Sequence, residues 1–316
     1  MSENIAVVGS GLVGKAWAIT FARAGRHVEL WDPDPAAAEA TIATIPQLLA
    51  NLETEGLLKG ASAIDVGRRI VRATSLAEAL AGAVHVQECA PEDVEVKRKL
   101  FAELDAATAA NAVLASSSTA IMPSRFTADV IGRSRCIVAH PINPPYLVPA
   151  VEIVPAPWTD PAIVTRTRDL MVAIGQAPIV MQREIEGFLM NRLQAAVLQE
   201  AFRMVAEGLA SVEDVDVGIR KGLGLRWAFI GPFETINLNA PGGVADYAGR
   251  YGDAMHRIAE TQTQPLHWAG DLLKGVAKQL DQRTPPQDRA KRQMWRDRRL
   301  MALMRHLAEA DEQFGV

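Results

Sequence analysis

The chain is poor in cysteine, with Cys89 and Cys136 the two in 316 residues. That is too few for a disulfide framework or a zinc cluster, so no metal centre is expected. Both lie inside apolar runs, and two reduced, partly buried thiols point to a cytoplasmic setting. A basic surplus is missing too. Lys and Arg number 33 against 37 Asp and Glu, a formal charge of -4, whereas a nucleic-acid partner calls for clustered positive charge. No apolar stretch approaches the roughly eighteen residues of a membrane-spanning helix. No basic segment precedes the first apolar run, so a cleaved leader is not expected. Internal repeats and low-complexity tracts are lacking. With 49% hydrophobic and 22% charged residues, the composition is that of a globular chain of one large or two ordinary domains.

What is there is a succession of short β-branched runs: NIAVV, HVELW, RIVRA, AVHVQE, AVLAS, RCIVAH, AVEIV and APIVM. Amphipathic stretches of helical period, Glu92–Ala110 among them, separate most of these runs. Such alternation implies crossover connections and a largely parallel, doubly wound sheet. AVEIV is flanked by Pro149, Pro155 and Pro157, which suits an edge strand or one that breaks the parallel order. Beyond Glu186 the strand signal ends, and a helical pattern starts at FLMNRLQAAVLQEAF and stops at Gly208. The expected fold is therefore α/β, a Rossmann-type doubly wound sheet over residues 1–186 followed by an all-helical domain over 187–316. DQRTPPQ reads as a loop between two late helices. In the last helix Met294, Met301 and Met304 form an apolar stripe, packed inward or on a partner subunit, within a solvated charged surface.

Gly9-x-Gly11-x-x-Gly14 is a weak signal by itself. Here it follows the first strand and opens a helix, the setting a dinucleotide fingerprint requires. Gly9 permits the tight turn, Gly11 lets the backbone approach a pyrophosphate, and Gly14 lets helix and sheet pack closely. The helix start, Leu12 and Val13, then presents unpaired N–H groups to the phosphates. Asp32 ends the second strand, where a carboxylate can accept from both ribose hydroxyls; its alternative role is to cap the helix after Pro33. With Asp34 close by and no arginine on that turn, a 2′-phosphate would be repelled. NAD, rather than NADP, is the expected cofactor.

Hydride-transfer chemistry also needs a group to take the alcohol proton and something to hold that group. His140 ends the strand RCIVAH, at the carboxyl side of the sheet where open α/β folds bind ligands. His85 falls at the wrong end of its strand, and the remaining histidines lie at a strand start or in polar helical surroundings. Glu152 alternates with Val151 and Ile153, so it faces away from them, and the intervening prolines allow it to return beside the imidazole. There it would fix the tautomer and stabilise the imidazolium. The alternative is a solvated glutamate on an edge strand.

ASSSTAI, AHPINPP, VEIV and EGFLMNRL, in this order and spacing, resemble the 3-hydroxyacyl-CoA dehydrogenase family. GLGLRWAFIGPFETINLNAPGG is similar to its lambda-crystallin branch, whose enzymatic member is L-gulonate 3-dehydrogenase. The resemblance implies that His140 is the catalytic base, Glu152 its orienting acid, and Asn191 a hydrogen-bonding partner of substrate or cofactor. It places the family's serine at Thr119, a departure that keeps the hydroxyl and adds a methyl; Ser116, Ser117 and Ser118 offer themselves as caps for a helix near Ile121. Glu92 and Lys97 match family positions near the nicotinamide, a surface pair being the alternative reading. A homodimer joined through the helical domain is also implied.

The reading is an NAD-dependent dehydrogenase that oxidises a small 3-hydroxy acid. A 3-hydroxyacyl-CoA substrate competes with it, although Leu52–Ala63, where the family can supply lysines for CoA phosphates, offers only Lys59. L-carnitine dehydrogenase is a further alternative through LRWAFIGPF, with Trp227 and Phe229 as candidates for a cation-binding cage. A crystallin-like NAD-binding structural protein is the non-enzymatic alternative. Arg226 is the candidate clamp for the substrate carboxylate, since a guanidinium fork pairs with it through two parallel bonds; pairing with a protein carboxylate is the other possibility.

Overall fold

Each of the eight β-branched runs forms a strand in the computed structural model, which describes residues 4–315. They are β1 (Asn4–Val8), β2 (His27–Trp31), β3 (Ile70–Arg72), β4 (Ala83–Glu88), β5 (Val113–Ser116), β6 (Cys136–Pro141), β7 (Ala150–Pro155) and β8 (Ala177–Val180). One sheet holds them in the order β3-β2-β1-β4-β5-β6-β7-β8. Neighbours run parallel throughout, except that β6 and β7 are antiparallel. Of the two positions open to AVEIV, the edge goes to β8, while β7 breaks the parallel order from inside the sheet. The reason is chain length, because residues 142–149 are fewer than the dozen or so that a parallel crossover takes.

Burial on both faces follows from the period of two along each strand. In β1, Ile5 and Val7 face one core with Trp17 and Phe21 from the helix Leu12–Arg23 and with Ile163 and Met171 from the helix Pro161–Ala173. Ala6 and Val8 face the other with Phe101 and Leu104 from the helix Val94–Ala107. Trp17, Phe21 and Phe101 are fully buried, and each contributes on the order of 2–3 kcal/mol of hydrophobic stabilisation. Strand order reverses between β1 and β4, which opens a crevice at their carboxyl ends.

The chain divides into two compact units, Met1–Arg192 with Asp297–Val316, and Leu193–Arg296. The C-terminal helix Arg289–Phe314 starts in one and ends in the other. Of its methionine stripe, Met301 is buried in the core of the first unit, whereas Met294 is 60% exposed. The second unit is helical, and Phe202 stacks on Trp268 at 4.7 Å within it. Gln199 there holds the backbone of Leu266 from both sides, accepting at 2.9 Å and donating at 3.3 Å. No residue of its helices Gly243–Thr261 and Gly270–Arg283 is buried, although both are amphipathic. Among the described residues no helix is long and apolar enough to cross a membrane.

Candidate active site

The glycine turn joins β1 to the helix Leu12–Arg23. Gly9 takes φ 104, in the region that favours glycine, and its N–H bonds to the Trp31 carbonyl at 2.8 Å. A Cβ at Gly9 would come within 2.7 Å of the Cys89 carbonyl oxygen, and one at Gly14 would overlap the Gly9 carbonyl oxygen. Gly11 has open space around it, Leu12 is 73% exposed, and Val13 packs partly against the core. Asp32 closes the turn, with Oδ2 accepting from the Ser10 N–H at 2.7 Å and the Ser10 hydroxyl at 2.8 Å. The capping role weighed for Asp32 falls to Asp34, which accepts from Ala36 at the head of the next helix. A groove of about 640 Å³ runs between Gly9, Gly11, Asp32 and the Cys89–Pro91 segment.

Beside this groove lies a polar cluster whose centre is buried. Lys97 is not the surface residue of an i,i+5 pair. Only 1% exposed, its ammonium donates to both Glu88 oxygens at 2.9 Å, and the Ser116 hydroxyl bonds to the same carboxylate. Glu92 sits farther out, 3.9 Å from Lys97. Its Oε1 accepts from the Ser118 hydroxyl at 2.7 Å and from the amides of Thr119, Ala120 and Ile121 at 2.9, 3.0 and 3.3 Å. Burial pushes the Glu92 carboxyl up, but these bonds and the Lys97 charge outweigh it and hold it below its ordinary value. Ser118 also accepts from the Ile121 amide, so it closes a turn there, while the next helix begins only at Ser124.

His140 and Glu152 stand directly opposite one another across the antiparallel β6–β7 pair. Opposed residues share a face of the sheet, which is why prolines in the connection and alternation along β7 bring the two side chains together. The imidazole Nδ1 is 2.6 Å from Glu152 Oε2, His140 is 5% exposed and Glu152 is fully buried. The solvated-glutamate alternative is therefore excluded. Glu152 Oε1 accepts from the amides of Leu189 and Met190 at 2.7 and 2.8 Å, at the head of the helix Met190–Ala206. Burial pushes the Glu152 carboxyl up, yet the hydrogen bonds from His140, Met190 and Leu189 hold it below the ordinary 4.5. With Nδ1 engaged, Nε2 is the nitrogen left to exchange a proton.

Asn191 donates to the Thr119 carbonyl at 2.6 Å, which ties the helix head to the Glu92 turn. Thr119 is exposed. Arg226, on the short helix Gly224–Trp227 after a π-helical turn over Gly218–Leu223, belongs to the second unit. It is half-buried. The pairing with a carboxylate of its own chain, one of the roles open to it, is not seen among the described residues.

The model of the 3-hydroxyacyl-CoA dehydrogenase NAD binding domain matches residues 4–185, and that of the C-terminal domain matches residues 187–279. The chain belongs to the 3-hydroxyacyl-CoA dehydrogenase family. Lambda-crystallin of Oryctolagus cuniculus is 42% identical over 310 residues, covering 96% of this chain and 97% of that protein. L-carnitine dehydrogenase of Nocardiopsis dassonvillei is 37% identical over 310 residues, covering 98% and 93%. Among solved structures, 5-formyl-3-hydroxy-2-methylpyridine 4-carboxylic acid 5-dehydrogenase, described as an NAD+ dependent dismutase, superposes with a TM-score of 0.84 at 26% identity, over 98% of this chain and 99% of that one.

The family's cofactor is NAD, and the groove fits it. The helix starting at Leu12 has no side-chain cap, so its first amides are unclaimed by the protein's side chains. Open backbone at Gly11 and the Asp32 carboxylate face the same groove. Sequence reasoning missed two members of this region. Glu88 is legible only as an acid ending a strand that already carries His85 and Gln87, and Phe188, packed 5.8 Å from the His140 ring, carries no signal beyond its place after Gly187.

Proposed function

We propose that the protein oxidises the 3-hydroxy group of a small 3-hydroxy acid to a 3-oxo group, with L-gulonate as the reference substrate. The observation that supports this most is the buried His140–Glu152 pair at the carboxyl side of the sheet. With its proton on Nδ1 and directed at Glu152, the imidazole takes the substrate hydroxyl proton on Nε2. Glu152 stabilises the imidazolium so formed and keeps the ring in that tautomer. The chemistry NAD would supply when bound is acceptance of the hydride that leaves C3 of the substrate. Gly9, Gly11, Leu12, Val13 and Gly14 cradle its pyrophosphate, and Asp32 accepts from its ribose. Glu92 and Lys97 shape the turn on the nicotinamide side. Thr119 and Asn191 steady the substrate oxygen, and Arg226 grips the carboxylate.

Helices of the second unit, Leu193–Arg296, form the substrate-binding domain and a homodimer interface. Its support is the exposure of apolar side chains on amphipathic helices, among them Val197, Phe233, Met255 and Ile258. The free thiols Cys89 and Cys136 favour a reducing, cytoplasmic location. L-Carnitine is the second reading, favoured by the 37% identity to an L-carnitine dehydrogenase and by the exposed Trp227 and Phe229 beside Arg226. A panel of L-gulonate, L-carnitine, 3-hydroxybutyrate and 3-hydroxybutyryl-CoA, read by NADH formation, tests both. Turnover of the free hydroxy acid is expected. Turnover of the thioester alone would overturn the proposal, and inactivity on every substrate would point to a binding protein.

A further inference from the structure

We infer that Phe188 is a positioning residue for His140, set in place by a left-handed turn it forms with Gly187. The inference rests on the proposed role of His140 as the base. Gly187 has φ 76 and Phe188 φ 50, a region that bulky side chains avoid. At Gly187 the local packing is permissive, since an added Cβ would meet Arg192 and Asn191 at ordinary distances of 3.6 and 3.8 Å. What glycine supplies is the backbone angle. Phe188 pays a conformational penalty at the same turn, and it is held there by complete burial against the core that contains Val138 and Val154.

The turn has two consequences at the imidazole. It aims the Leu189 and Met190 amides at Glu152 Oε1, at 2.7 and 2.8 Å, which leaves Oε2 for His140. It also lays the Phe188 ring against the imidazole, centroids 5.8 Å apart and planes tilted by 55°. The covalent link at Cγ and the hydrogen bond at Nδ1 hold one edge of the ring and leave it to tilt about that edge. The Phe188 ring packed beside the imidazole opposes that tilt, and so sets where Nε2 points. Burying the side chain alone would not require a left-handed backbone, because Phe101 and Phe126 fill the same core without one.

The test compares Phe188→Ala, Phe188→Leu and Gly187→Ala with wild type for kcat, both KM values and NADH affinity. Phe188→Ala should lower kcat by about tenfold or more, as expected when a reacting group is misplaced. NADH affinity and both KM values should stay near wild type, and Phe188→Leu, which keeps apolar bulk, should recover most of the loss. A folded Phe188→Ala enzyme with wild-type kcat overturns the inference. So does a parallel loss of NADH binding, or a leucine variant no better than alanine. Should Phe188→Ala fail to fold, Gly187→Ala carries the test, since its methyl has room and only the turn is disfavoured. Reduced kcat with intact NADH binding supports the inference there, and wild-type kcat overturns it. His140→Gln separates the two levels: an inactive His140→Gln beside a normal Phe188→Ala sinks the positioning role alone, whereas an active His140→Gln sinks the base itself.

Discussion

Replacing Glu152 with glutamine separates catalytic from structural contributions, because the change keeps shape and removes charge. The carboxylate accepts three hydrogen bonds, two on Oε1 from Leu189 and Met190 and one on Oε2 from His140. Glutamine has one carbonyl oxygen for them. Turning its amide nitrogen toward the two backbone donors would forfeit two bonds to a charged acceptor, each about 1.5–3 kcal/mol. Keeping the carbonyl there is cheaper, and it points the NH2 group at His140 Nδ1. That nitrogen must then accept, the ring proton moves to Nε2, and the base is lost. A wrong tautomer of this kind costs about three to four powers of ten in kcat, or roughly 4–5.5 kcal/mol. Stability should change by less, within about 2 kcal/mol, since losing a charge-assisted bond is offset by removing a buried charge.

The pH dependence supplies a second signature. The folded carboxyl titrates below its ordinary 4.5, so its contribution to stability is complete above that value and is lost as pH falls through the folded pKa. Glu152→Gln should lack this component of acid destabilisation. Steady-state NADH formation and urea unfolding between neutral and acid pH measure both quantities. A glutamine variant with kcat within about tenfold of wild type would refute the tautomer argument. A stability loss above about 4 kcal/mol would instead make Glu152 chiefly structural.

Lys97→Met leaves the Glu88 carboxylate buried without its cation and should destabilise the fold by about 3–5 kcal/mol in urea unfolding; a loss below about 1 kcal/mol would mean that the Ser116 hydroxyl and the Ala90 N–H, which donates to Glu88 Oε1 at 2.6 Å, suffice for the carboxylate. Asp32→Ser with an arginine placed nearby should raise NADP use relative to NAD, measured as the ratio of kcat/KM, and a wild-type enzyme that already prefers NADP would contradict the ribose assignment. Arg226→Met should raise KM for a free hydroxy acid about tenfold or more, in line with a charged hydrogen bond of about 1.5–3 kcal/mol, and spare a neutral ester; equal losses on acid and ester would make Arg226 structural.

Legibility in the sequence follows how local each signal is. The glycine turn, the strands and the helix stopping at Gly208 all depend on residues close in sequence, and each is readable. His140 and Glu152 are readable as candidates because alternation along β7 decides which way Glu152 points. Their direct opposition depends on β7 running antiparallel to β6, which proline flanks leave open between an edge and a reversal. Lys97 is harder. On an amphipathic helix a lysine is ordinarily a surface residue, and its partner Glu88 belongs to a strand end and becomes a neighbour only once the β4 loop folds back. The left-handed backbone at Phe188 has no sequence signature, since phenylalanine is among the residues least expected there.

The central claim is that His140 is the base, and His140→Gln tests it most directly when turnover and cofactor binding are measured on one preparation. His140 is not among the residues that line the cofactor groove, so NADH affinity should remain near wild type. Turnover of the preferred hydroxy acid should fall by about two to four powers of ten, the range for loss of a general base. Turnover close to wild type, with NADH binding intact, would contradict the account.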